Sequence, residues 1–149
     1  MSGEVSEREQ FRTFVEGVQH EAESALVRGD VGPRLDMWSH HDPVTLFAAV
    51  GPTKAGWADL EPTFRAVAAR LSGGRDVRYD LLAFDVEGDV AWTAGVARFV
   101  VSMDGGRPAP LVIRLTHSYR REGGTWKVVH EHSDFQPPDH ETPPPIDSR

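Results

Sequence analysis

Three histidines and an aspartate near one end of the chain, His117, His130, His132 and Asp134, are the side chains best suited to move protons. An imidazole titrates near neutral pH, with an unperturbed pKa of about 6.5, so it can take a proton from one atom of a substrate and return it to another. In that chemistry His117 or His132 is the acid/base, and Asp134 orients the imidazole or shares its proton. A metal centre is the alternative, because His130 and His132 leave one strand in the same direction and His117 would be their cross-strand neighbour. Successive inward positions of a strand lie about 7 Å apart at the backbone, however, and no metal is expected. The same histidines also fit a plain structural role as the hydrogen-bonded polar end of a buried wall.

What brings them together is a β-hairpin over residues 111–135. Two runs rich in β-branched and aromatic residues flank Gly123-Gly124, a pair that supplies the positive φ angles of a two-residue turn. Counting back from that turn pairs Tyr119 with Val128, His117 with His130, Leu115 with His132 and Ile113 with Asp134. Alternation then gives one inward face, Ile113, Leu115, His117, Tyr119, Trp126, Val128, His130, His132 and Asp134. The opposite face carries Arg114, Thr116, Ser118, Arg120, Lys127, Val129, Glu131 and Ser133.

The remaining elements must support this wall. Apolar residues at Phe11, Phe14, Val15, Val18, Ala22, Ala25 and Leu26 predict an amphipathic helix over 6–28, stopped at Gly29-Asp30. A short helix over 31–38 and a strand over 44–50 follow, then a third helix over 57–71 that ends at Ser72-Gly73-Gly74. Residues 77–86 and 90–101 read as strands that complete a four-stranded antiparallel meander. Continuing the register puts Tyr79, Arg98 and Asp134 in one row, with Arg98 paired to Asp134 or waiting for a ligand carboxylate. Pro108 and Pro110 are where a bulge could shift that row. Candidate ligand contacts are Tyr79, Arg98, Tyr119, His130 and Trp38, the last also fitting a core or pocket-wall position. The turn at His40, His41 and Asp42 reads as solvated, with Asp42 bonding local backbone.

The sum is an α+β domain: a cone-shaped curved antiparallel sheet packed on three helices from the N-terminal half, an arrangement that resembles a cystatin-like roll. Residues 1–135 form one domain, and residues 136–149, with five prolines, read as a tail. A length of 149 residues is enough for a real core, and a net charge of −7 without a Lys/Arg cluster argues against nucleic acid or an anionic membrane as partner. The polar opening residues and the lack of any long apolar run lead to the expectation of a cytoplasmic protein with no leader or membrane span.

The Arg28-Gly29-Asp30 helix end, the run from Asp42 to Phe47 followed by Gly56, and above all the run from Arg120 through Trp126 to His130-Glu131-His132-Ser133 resemble the SnoaL-like, ketosteroid isomerase-like branch of the nuclear transport factor two-like superfamily. The resemblance covers most of residues 11–135. It implies a small homodimer that meets its partner through the outer sheet face, with a pocket for an apolar small molecule, cyclic ones included, and no cofactor. It also implies isomerase, cyclase, dehydratase, binding or association roles, since one fold hosts them all. The chain departs from ketosteroid isomerases where their general-base aspartate and oxyanion-hole tyrosine would fall, at Phe47 or Ala48 and at Ala22, so steroid isomerisation is disfavoured. Two readings stay open: cofactor-free proton transfer by His117, His132 and Asp134, or a non-catalytic ligand-binding or association module.

Overall fold

A computed structural model describes residues 6–136. The proline-rich stretch expected to be a tail lies, apart from Gln136, outside the described residues. Helix α1 spans Glu7–Leu26, with the Ser6 side chain accepting from Glu9 N and acidic residues in the first turn, where the helix dipole favours negative charge. Helix α2 spans Gly32–Met37, strand β1 Thr45–Phe47, strand β2 Thr53–Ala55 and helix α3 Trp57–Ala69. Asp42 does bond backbone, but as a cap at long range: its Oδ1 accepts from Trp57 N, 2.8 Å away, at the start of α3. Strands β3 (Leu71–Glu87), β4 (Val90–Met103), β5 (Ala109–Glu122) and β6 (Thr125–Phe135) follow.

The expected α+β architecture is present, with a larger sheet than the meander alone. Six strands lie in the order β2-β1-β6-β5-β4-β3, and β1 runs parallel to β6 while the other pairs are antiparallel. Beneath the sheet, Phe11 of α1 meets Tyr119 and Trp126 edge to face at 5.2 and 5.1 Å between ring centroids. That geometry suits aromatic quadrupoles and anchors α1 to β5 and β6. A second buried cluster, Val27, Ala97, Phe99, Val101 and Leu115, closes the other end. Among the described residues no helix is long and apolar enough to cross a membrane.

Three register details differ from expectation, and together they put His130, His132, Asp134 and Arg98 on the outer face. The Gly123-Gly124 turn pairs Glu122 with Thr125 and Tyr119 with Val128, as counted, but an irregularity follows between Ser118 and Tyr119. Ser118 pairs with His130, leaving Val129 as the extra residue of a β-bulge. Beyond it His117 faces Glu131, Thr116 faces His132 and Arg114 faces Asp134. Glu131 and Ser133 are therefore buried while His132 and Asp134 are exposed, the reverse of the face counted from the turn. The bulge falls where β6 changes its other neighbour: Val128 bridges Trp38 and accepts from Ser39 N, whereas His130 is the first partner of β1.

The second shift is in β3, where Leu82 is skipped, so Tyr79 pairs with Ala97 and Arg98 pairs with Arg78. The third is the β4–β5 connection. Its loop spans residues 104–108, with Asp104 and Gly105 both at positive φ, and not Gly105-Gly106 alone. That sets Ala97 opposite Ile113 and leaves Arg98 on the outer face. The prolines cause no break, since Pro110 pairs with Val100 in an unbroken register. Ser72-Gly73-Gly74 likewise does not end a helix; it is an irregular start to β3, where Gly74 N bonds to Val27 O at 2.9 Å.

Candidate functional site

The inward residues that the bulge brings in complete a buried ionic chain. Arg34 of α2 donates from Nη2 to Glu23 Oε1 of α1 at 2.5 Å and from Nη1 to Glu131 Oε1 of β6 at 3.0 Å. His117 Nε2 lies 2.7 Å from the same Glu131 oxygen. Gln19, one turn before Glu23, donates to Glu23 Oε1 at 2.8 Å. At the other side Ser133 Oγ accepts from Ala49 N at 2.9 Å and donates to Glu131 Oε2 at 3.3 Å. All six side chains are buried, His117 completely.

The electrostatics follow from this geometry. Burial by itself would raise the Glu131 carboxyl, but the hydrogen bond from His117 and the charge of Arg34 outweigh it and hold the group at about 2. Burial works against the Arg34 cation, yet Glu23 and Glu131 together raise its pKa above the usual guanidinium value. Because ionised Glu131 can only accept, the His117 proton sits on Nε2, and Nδ1 finds no partner among the described residues. Next to His117, Thr93 Oγ1 and the Tyr79 hydroxyl are also buried without a well-formed hydrogen bond. Burial pushes Tyr79 up to about 12 and Tyr119 further still, so both stay neutral phenols.

An apolar cleft opens onto one end of the ionic chain. Its walls include Leu26, Val27, Leu46, Val67, Phe99 and Leu115, and Glu23, Arg34, Glu131 and Ser133 form its polar floor. The cavity is compact, with about 80 Å³ open to the centre of a water-sized sphere, and it is open at its mouth.

The residues singled out from sequence divide between two faces. His117, Tyr119, Tyr79 and Trp38 lie inside: Tyr119 in the aromatic cluster, Tyr79 against the backbone of Gly95, and Trp38 in the core 5.1 Å from Phe64. His130, His132, Asp134 and Arg98 lie on the outer face. His130 Nδ1 is 2.6 Å from Thr45 Oγ1, and Phe47 meets both His130 and His132 edge to face. Asp134 forms a two-point pair with Arg114 at 2.7 and 2.5 Å, and Arg98 is 4.0 Å from Asp80. The Arg98–Asp134 pairing is thus replaced by Arg114–Asp134. The three histidines do not converge, and among the described residues no group of three or more His, Cys, Asp or Glu side chains is arranged to hold a metal ion.

Glu23, Arg34, Glu131 and Ser133 were not candidates from sequence. A usable signal existed on α1: Gln19 and Glu23 continue the i, i+4 line of Phe11 and Val15, so two polar residues stand in an apolar stripe. The comparisons with known proteins come from the family and the fold. The SnoaL-like domain family matches residues 15–136. No curated protein matches the chain significantly. Among solved structures, an NTF2-like candidate dehydratase from Streptomyces avermitilis is 18% identical, covering 83% of this chain and 96% of that one, with a TM-score of 0.65. A candidate calcium/calmodulin-dependent protein kinase II association domain from Xanthomonas campestris is 20% identical over 90% of this chain and 91% of that one, TM-score 0.62. The CaMKII association domain of C. elegans is 18% identical over 86% and 97%, TM-score 0.61. At such identities the structures speak for an NTF2-like fold, and the family match over most of the chain speaks for descent: the chain belongs to the SnoaL-like domain family.

Proposed function

We propose that the protein binds a compact, mainly apolar small molecule in the cleft between α1, α3 and the sheet. The observation that carries this reading is the buried chain Glu23–Arg34–Glu131–His117 ending at the floor of an apolar cavity. A buried ion network is a poor source of stability, because its desolvation cost rivals its Coulombic gain. Placed under apolar walls, it suits orientation of a ligand.

Cofactor-free isomerisation, cyclisation or dehydration in this cleft would have to use Glu131, with His117 behind it as a positioning residue. A carboxylate held near 2 is a weak base at neutral pH, which favours binding over proton transfer. The test is a titration of the ¹⁵N-labelled chain with a library of small cyclic compounds. The reading expects shift changes at Leu46, Ala49, Leu115 and Ser133, and their loss in Val67→Trp, which would fill the cleft mouth. A library that leaves those amides unmoved sinks it.

A second reading concerns assembly and is compatible with the first. The outer sheet face carries exposed Trp92 and Phe47 beside His130 and His132, a surface suited to a second copy of the chain. Solved structures with a similar fold include domains titled as association domains.

A further inference from the structure

We infer that the ligand of this cleft carries a protonated amine at its buried end; the inference rests on the pocket reading above and names the chemistry of the occupant. The floor presents two carboxylates, Glu23 and Glu131, to one guanidinium, Arg34. Both terminal nitrogens of Arg34 are already committed to those carboxylates. Glu23 Oε1 receives both Gln19 and Arg34, while no hydrogen bond among the described residues reaches its Oε2. Glu131 Oε1 is taken by Arg34 and His117, but its Oε2 receives only the Ser133 hydroxyl, at a long 3.3 Å. The unused hydrogen-bonding capacity therefore consists largely of carboxylate lone pairs, with Arg34 Nε the one floor nitrogen lacking a partner.

An ammonium group offers three donors and no acceptor, so it complements the charge of the two carboxylates and the open lone pairs of Glu23 Oε2 and Glu131 Oε2, leaving only the Arg34 Nε donor unanswered. A carboxylate would meet two like charges against the single open Arg34 Nε donor, and an alcohol would satisfy the lone pairs without the charge. The walls Leu26, Val27, Leu46, Val67, Phe99 and Leu115 give an amine's hydrocarbon body its contacts but offer it no competing polar partner. The expected class is a primary amine on a compact alkyl or alicyclic skeleton.

The experiment compares three probes of one skeleton, cyclohexylmethylamine, cyclohexylmethanol and cyclohexanecarboxylate. Each is titrated at neutral pH into the ¹⁵N-labelled full chain while the Ala49, Leu115 and Ser133 amides are followed. The amine should bind at least tenfold more tightly than the carboxylate, with the alcohol between them. Glu23→Gln should weaken the amine at least fivefold and leave the alcohol within twofold. Should that variant not fold, the amine-to-carboxylate ratio in the unaltered protein decides alone. A carboxylate that binds as well as the amine overturns the inference and leaves the pocket reading standing. If none of the three probes moves those amides, both fall.

Discussion

Glu131 and His117 act as one unit, and the unit is only as good as its burial. Truncating one member of a buried charge set leaves the others without compensation, which commonly costs about 3 to 5 kcal/mol. Glu131→Gln should therefore lower the unfolding free energy at pH 7 by about 3 kcal/mol in urea titrations, and a loss below ~1 kcal/mol would mean the network is more hydrated than its geometry implies. The pH dependence has a definite sign. The Glu131 carboxyl sits at about 2 in the folded chain against an ordinary 4.5, so its contribution is fully present above pH 4.5 and disappears as the pH falls towards 2. Two to three pKa steps correspond to on the order of 3 kcal/mol. The stability gap between the native chain and Glu131→Gln should accordingly be constant from pH 7 to 5 and close between pH 4.5 and 2, measured as the difference in urea midpoints.

At the scale of elements, close backbone approaches fix how α1 meets the sheet. A Cβ on Gly74 would lie 2.2 Å from Val27 Cγ2 and 2.5 Å from the Val27 carbonyl oxygen, the same oxygen that accepts the Gly74 N–H. Gly74→Ala should cost about 2 to 3 kcal/mol, since overpacking against backbone cannot be relieved by a rotamer change. Adding Val27→Ala should recover little of it, because the carbonyl and the Val27 Cβ remain; full recovery in a urea titration would show that only the side-chain methyl matters. The elements themselves were legible in sequence, because periodicity and turn glycines act locally: α1, α3 and the four long strands all stand close to where their patterns put them. The faces of the strand ends were not. Val128 and Val129 are both apolar, so the sequence around the bulge fits either register, and the skip at Leu82 is equally silent. The bulge is set by tertiary context, where β6 leaves Trp38 and Ser39 for β1. One unpaired residue thus exchanged His130, His132 and Asp134 for Glu131 and Ser133, and with them the proposed proton-transfer set for a charged pocket floor. His117 and Tyr119 kept their inward positions because they lie on β5, whose alternation is unbroken, while the extra residue is in β6.

For the whole molecule, the same slip has an opposite consequence on the outside. The rows Trp92–Ser118–His130–Thr45 and Ala94–Thr116–His132–Phe47 run across β4, β5, β6 and β1 on one continuous face. Trp92 is 45% and Phe47 41% exposed there, large values for aromatic side chains in mid-sheet. A face of this kind can pair with itself about a two-fold axis, each copy presenting the same patch, and the two-point Arg114–Asp134 pair gives it a polar border. Light scattering coupled to gel filtration should then report twice the 16.5 kDa chain mass at micromolar concentration. Trp92→Lys, which adds a like charge to both copies at the patch, should shift that mass to the monomer. Because Trp92 points away from the core, its replacement should leave probe binding in the cleft within about twofold, separating assembly from recognition. A native chain that stays at 16.5 kDa when concentrated overturns the dimer, and a Trp92→Lys dimer as tight as the native one moves the interface off this face.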